Sequence, residues 1–291
     1  MSRNVLIALV VASTVGYVMV AQNAAAISGQ WTVGGVVGKD NTQAVVQLTI
    51  RRSEGNSSMS NSSSVPLNQL RGLTRPQLDS PGIMVHFELI RDAGTFGFDG
   101  YVQKGGGGGA FTFLPNANFA GEMRSLGYPV LSNEQQFVMA VHDAGAAYVR
   151  DMQAAGIRPD STDQIITMRI HNVSVEYVKE MKALGYSGLT PDHLVTMRIH
   201  NVTADFAREL KSLGYNSVPS DELVTMRIHG VTPEFMKEVA SLGYNHPSID
   251  QLVTMRIHNV TPDFIRKTRA RGMGTLSIDQ LVSLQIHGIF D

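Results

Sequence analysis

Six histidines stand 29 residues apart: His142, His171, His200, His229, His258 and His287. Histidine binds metals and titrates near neutral pH, so such a series raises two chemistries, a metal array and a proton switch. Ligands lie about 2 Å from a shared metal, which brings two ligating nitrogens within about 3–4 Å of each other. Equivalent residues in stacked helical units stand about 8–10 Å apart. One histidine per unit therefore cannot share a metal along a stack without a further ligand. His193 and His246 have no counterparts in the other units. The structural alternative gives each histidine a helix to close, bonding terminal carbonyls and complementing the negative end of the helix. Protonation of partly buried histidines would then loosen the stack in mild acid.

Arg169, Arg198, Arg227 and Arg256 share the period, two residues before a histidine. On a helical wheel Arg198 falls about 40° from Leu194 and about 60° from Val195, between two apolar residues. A guanidinium placed there is partly buried and needs a partner. Carboxylates recur at matching positions, Glu176, Asp205, Glu234 and Asp263 in one helix and Asp163, Asp192, Asp221, Asp250 and Asp279 in the other. We expect an Arg–carboxylate ladder; a row of cations for an anionic polymer is the alternative. Arg266, Lys267, Arg269 and Arg271 form a basic run in the last unit, either a partner-binding patch or a solvated helix face. No Ser/His/Asp or paired-carboxylate arrangement can be located from spacing. Gly105–Gly109 lacks the Lys-Ser/Thr of a phosphate loop. No catalytic residue, cofactor or metal is expected.

A repeat must position these series. Gly127, Gly156, Gly185, Gly214, Gly243 and Gly272 follow the same step, as do Phe119, Tyr148, Tyr177, Phe206, Phe235 and Phe264. Six units fit between residues 116 and 291, each reading as two short helices. In the segment from Thr203 to Gly214, Thr203 is an N-cap and Asp205 suits the positive end. Phe206, Ala207, Leu210 and Leu213 make one apolar stripe, and Gly214 takes the left-handed position after it. The second helix opens on capping boxes, Ser161 with Gln164, Ser248 with Gln251 and Ser277 with Gln280, or on Thr190-Pro191. Pro219 shifts one start to Ser220. The helix runs to the histidine, where Asp143, Asn172, Asn201, Gly230, Asn259 and Gly288 follow, residue types that tolerate left-handed backbone. Helices of about ten residues are marginal alone, so the units must stack. Gln136 and Ala140 in the first unit, and Thr268, Arg271 and Gln285 in the last, make the ends more polar, as solenoid caps require. The expected form is a right-angled or gently curved stack of hairpins.

Residues 27–115 have another pattern. Trp31–Val37, Gln43–Arg52, Ile83–Arg91, Thr95–Tyr101 and Ala110–Phe113 are strand candidates. Ser53–Ser64 reads as a long mobile loop and Gly105–Gly109 as a flexible connection. We expect four or five antiparallel strands, a small sandwich or meander, docked rigidly on the first helix through Phe113-Leu114-Pro115-Asn116. The fold class is α+β, with a small antiparallel β domain over 27–115 and an α-helical-hairpin solenoid over 116–291. Ahead of both, Met1–Ala26 reads as a signal peptide, with Arg3, a 16-residue uncharged run over Val5–Val20, and small residues up to Ala26. The run is short for a span of about 20 residues. A retained membrane anchor is the alternative, and the only membrane contact expected.

The 291 residues are 43% hydrophobic and 17% charged, which excludes wholesale disorder. With 24 Lys+Arg against 25 Asp+Glu there is no cation excess for nucleic acid. The absence of cysteine excludes disulfides, thiolate metal sites, a cysteine nucleophile and a lipoprotein anchor.

Two stretches carry a resemblance: Arg91-Asp92-Ala93-Gly94-Thr95-Phe96 with Phe111-Thr112-Phe113-Leu114-Pro115-Asn116 and Phe119, and the Val-Thr-Pro-Glu-Phe…Leu-Gly-Tyr…Leu-Val-Thr-Met-Arg-Ile-His unit. Together they resemble uncharacterised bacterial envelope proteins and segments appended to BlaR-type sensor metallopeptidases. The peptidase is absent: there is no His-Glu-x-x-His, and His86-Phe87-Glu88 does not fit. The resemblance implies an accessory sensing or binding module and transfers no catalytic residue. The expected function is that of a periplasmic or secreted bacterial module, not an enzyme, whose helical surface recognises a protein or peptide in the cell envelope. A regulatory module of an envelope metallopeptidase system and an enzyme with a site in the β domain are the alternatives.

Overall fold

A computed structural model of the chain describes residues 26–38, 41–55 and 57–289. The signal-like segment lies outside them up to its last residue. Strands β1 (Ile27–Val37), β2 (Val45–Glu54), β3 (Ser57–Pro66), β4 (Leu70–Arg71), β5 (Ile83–Arg91), β6 (Gly94–Gln103) and β7 (Gly106–Pro115) form one antiparallel sheet, ordered β3-β2-β1-β7-β6-β5-β4. Period-two burial builds it: in β5, Val85, Phe87 and Leu89 are buried while Met84, His86 and Ile90 are exposed.

Three expectations are corrected. Seven described strands replace four or five, in a single sheet rather than a sandwich; the meander holds, as β1-β2-β3 and β4-β5-β6-β7, joined by β1 against β7. Most of the expected mobile loop Ser53–Ser64 is strand. β2 and β3 pair without interruption from Val45↔Pro66 to Glu54↔Ser57. The pairing is made by backbone, and the polar side chains bond across it: Ser64 donates to Gln47 (2.9 Å), and the Ser62 and Thr49 hydroxyls are 2.9 Å apart. The glycine run is strand as well, with Gly106–Gly109 opening β7. Its bareness has a steric cause. A Cβ on Gly109 would stand 2.0 Å from the Asp99 carbonyl oxygen, and one on Gly100 would stand 2.7 Å from the Trp31 indole.

The sheet is rolled. Six spacings of about 4.8 Å would hold flat edges about 29 Å apart. Yet edge strands β3 and β4 are joined by the single turn Leu67–Gln69, four residue steps that reach about 14 Å at full stretch. Inside the roll, Trp31, Phe87, Phe96, Phe98, Phe111 and Phe113 are at most 1% exposed. Their rings meet edge-on or stacked, Trp31 to Phe87 at 5.0 Å and Phe87 to Phe98 at 4.7 Å. A short helix, α1 (Arg75–Leu78), begins at Thr74 and buries Leu78 against the roll.

Twelve further helices follow in pairs: α2 (Phe119–Ser125) and α3 (Asn133–Val141), α4 (Ala146–Ala154) and α5 (Thr162–Ile170), α6 (Val175–Ala183) and α7 (Pro191–Ile199), α8 (Ala204–Ser212) and α9 (Ser220–Ile228), α10 (Pro233–Ser241) and α11 (Ile249–Ile257), α12 (Pro262–Ala270) and α13 (Ile278–Ile286). First helices pack on first helices of adjoining units, and second on second, so the stack has two layers. The first unit is a docking unit, which corrects its reading as a polar cap. Phe137 of α3 enters the sheet's aromatic core, 5.8 Å from Phe96 and 5.4 Å from Phe113. Gln136 is buried, and its amide end faces two acceptors, the Asn116 and Ala93 carbonyls, so the nitrogen is assigned there, at 3.1 and 3.2 Å. Arg52 of β2 lies over the Phe137 ring and pairs with Glu134 at 2.6 Å. In the last unit Thr268 is buried too, its hydroxyl bonded to the Ile265 carbonyl.

Candidate functional site

The recurring Thr-Met-Arg-Ile-His lies at the C-terminal end of α5, α7, α9 and α11, and each of its residues faces a different environment. The methionines Met168, Met197, Met226 and Met255 are buried in the core between layers. The histidine is the C-cap, and the residue after it is left-handed: φ is 53° at Asp143, 54° at Asn172, Asn201 and Asn259, 68° at Gly230 and 61° at Gly288. Asn201 and Val202 donate to the Arg198 and Met197 carbonyls, a Schellman closure. First helices close in the same way on Gly127, Gly156, Gly185, Gly214, Gly243 and Gly272, with φ between 76° and 106°. The histidine terminates its helix with its backbone N–H, bonded to the carbonyl four residues back. Its ring forms no bond to terminal carbonyls among the described residues, which corrects that part of the expectation.

The arginines do not form a carboxylate ladder. Each guanidinium lies over the aromatic ring of the first helix of its own unit: Arg169 over Tyr148 (5.0 Å), Arg198 over Tyr177 (5.1 Å), Arg227 over Phe206 (5.1 Å) and Arg256 over Phe235 (5.1 Å). The Nε–H of Arg169, Arg198 and Arg256 points at the carbonyl of the preceding unit's histidine, at 3.2–3.4 Å. Of the four, Arg169 also makes an ion pair among the described residues, with Asp143 at 2.9 Å. The aspartates of the second helices are out of reach because they sit at the opposite end of each helix. The histidine carbonyl is one of the orphan acceptors of a helix end, and the next unit supplies its donor. The other layer repeats the device: Gln153 donates to the Leu126 carbonyl, Lys182 to that of Ala155 and Arg269 to that of Leu242. Ala140 occupies the arginine position of the first unit, where no earlier repeat offers a histidine carbonyl.

These contacts absorb much of the basic run. Arg269 lies over Tyr244 and caps α10, and Arg266 pairs with Asp263 at 2.6 Å. Lys267 and Arg271 are exposed.

What remains on the surface is the isoleucine of the motif. Ile170, Ile199, Ile228, Ile257 and Ile286 are each 50–58% exposed. On the wheel Ile199 lies about 140° from Leu194, with Asp192 at about 160° and Thr196 at about 200°, all opposite the core. The same three positions recur in every unit from α5 to α13. The outer face therefore carries three parallel lines: aspartates (Asp163, Asp192, Asp221, Asp250, Asp279), hydroxyls (Thr167, Thr196, Thr225, Thr254, Ser283) and isoleucines. A C-terminal helix end favours basic residues, so a solvated isoleucine there gains nothing from the helix dipole. Position 164 and its equivalents, also outside the core, have drifted through Gln, His, Glu, Gln and Gln. The isoleucine has not. Sequence reasoning passed over this line, although the wheel that placed Arg198 would have placed Ile199 too.

Among the described residues no three His, Asp or Glu side chains are grouped to hold a metal, and no helix is long and apolar enough to cross a membrane. No protein-family model matches the chain, and no curated protein matches it.

Proposed function

We propose that the protein is an exported, non-enzymatic binding module that grips a protein or peptide of the bacterial cell envelope along the outer face of its second helices. The observation that carries this reading is the line of five exposed isoleucines beside a line of five aspartates. Contiguous exposed apolar residues with a polar rim are typical of interaction surfaces. Adjacent isoleucines are about 8–10 Å apart along the stack. The aspartates run about 10 Å to one side, seven residues back along each helix. The fitting partner presents apolar side chains at the unit spacing with basic groups alongside. The resemblance to segments of BlaR-type sensor proteins favours, as a second reading, a sensing role for the same face.

The test compares the wild type with an Ile199→Ser/Ile228→Ser/Ile257→Ser variant. Crosslinking in envelope preparations identifies a candidate partner, which is then purified and titrated against both proteins. The variant should melt like the wild type and lose the partner. Equal binding by both proteins, or a wild type that captures nothing, removes the reading.

A further inference from the structure

The rolled sheet does not close along its whole length. β3 is ten residues long, while β4, the opposite edge, pairs with its neighbour β5 through only two residues. The outer edge of β3 lacks the usual protections. Its register with β2 is unbroken, it holds no lysine, and its one proline is the last residue. Beside it lies a cleft of about 640 Å³ between Ser62–Ser64 and the ends of α3 and α5.

The charges facing this cleft are unbalanced. Arg91 and Arg169 share the single carboxylate of Asp143, at 3.4 and 2.9 Å. Asp92 stands near Arg91 but is turned to the Ala147 N–H at the start of α4. His142 also borders the cleft, and burial, aided by Arg169, lowers its pKa and keeps the ring neutral at pH 7. Burial lowers the Arg91 pKa as well, and Arg169 pushes it the same way against Asp143. Two guanidiniums crowded around one carboxylate leave room for a second anion.

The seam also has a stop. Beyond Pro66 the chain crosses the gap through Leu67–Gln69, where Gln69 accepts a hydrogen bond from Arg91 at 2.9 Å. A strand laid along β3 in the same direction must end at that crossing, beside the arginines. We propose that this seam binds an extended peptide by its free C-terminus, with the main chain parallel to the outer edge of β3 and the carboxylate held by Arg91 and Arg169. Edge pairing supplies the main-chain hydrogen bonds, and the two guanidiniums supply charge-assisted ones. Val141 and Ile170 stand where the last side chain would lie, which selects an apolar residue. The isoleucine face shares only Ile170 with this site, so either can fail without the other.

The probes are fluorescein-labelled hexapeptides of alternating Thr and Val ending in Ala, Val, Leu or Phe, as free acids and as C-terminal amides. They are titrated with the full chain by anisotropy. At least one free acid should bind saturably, and its amide about tenfold more weakly or worse. Arg91→Gln should erase the difference between acid and amide. Asp143→Asn should strengthen acid binding several-fold, because it removes the competing carboxylate. Asparagine holds the same left-handed position at Asn172, so the fold tolerates this change. Acid and amide binding equally, no saturable binding of any probe, or weaker binding by Asp143→Asn would each overturn the proposal.

Discussion

In the rolled sheet, Phe96 meets the rings of Phe98, Phe111, Phe113 and Phe137, drawn from β6, β7 and α3. In the stack, Phe206 meets Arg227 and the apolar side chains of its own and adjoining units. One region is a many-body core in which residues far apart in sequence share a single cluster. The other is a chain of nearest-neighbour contacts, with the same few interactions made again every 29 residues. The sheet should therefore fail as a whole, and the stack in steps. Phe137 belongs to both designs, since it is part of a repeat helix and of the sheet's core.

The contrast can be broken most severely at that shared residue. Phe137→Ala should cost about 3–5 kcal/mol and destabilise the sheet together with the first unit, read as a shift of the main urea transition. Met226→Ala, in the middle of the stack, should cost about 2–5 kcal/mol, with faster hydrogen exchange confined to α7–α11. Spread of that exchange into the sheet would refute nearest-neighbour behaviour.

Smaller changes sharpen the comparison inside one unit. A Cβ on Gly185 would touch nothing, but its φ of 106° is left-handed. Gly185→Ala should thus cost about 1–2 kcal/mol through backbone alone. Arg198→Met should keep the fold and cost about 0.5–1 kcal/mol, the value of a partly exposed cation–π contact. Outright loss of folding would restore a carboxylate ladder. The smallest effect belongs to His142. Its folded pKa lies below the ordinary 6.5, through burial first and Arg169 second. The folded state prefers the neutral ring, so its contribution is complete above about pH 6.5 and declines as pH falls from there towards the folded value. Melting curves from pH 8 to 5 should show a small downward step that His142→Gln flattens.

Much of the stack is written in short-range signals. Thr203 and Ser248 cap the helices that follow them, and the residues after the histidines are left-handed as their types require. Such signals act within four residues, so a single sequence displays them. Arg198 was legible as half-buried but not in its partner, because the ring of Tyr177 lies 21 residues away on the other helix of the unit, beyond the reach of a helical wheel. β3 was illegible for the opposite reason. Its serines and asparagine face water on one side and a cleft on the other, so no apolar alternation marks it, and its pairing with β2 is a backbone property. The isoleucine line could be seen on a wheel, but only a description of its neighbours shows that no described residue covers it.

Arg169, Arg198 and Arg256 each reach back to the unit before, and the final position is taken by Gln285, bonded to the Asn259 carbonyl at 3.3 Å. The joint between neighbours thus recurs along the stack and points one way. Cutting or inserting whole 29-residue modules between α6 and α11 would leave every remaining joint intact while the sheet stays fixed at one end. Such a molecule is a ruler: the length of its outer face is set by copy number, and lineages can lengthen or shorten it by unequal exchange of whole units.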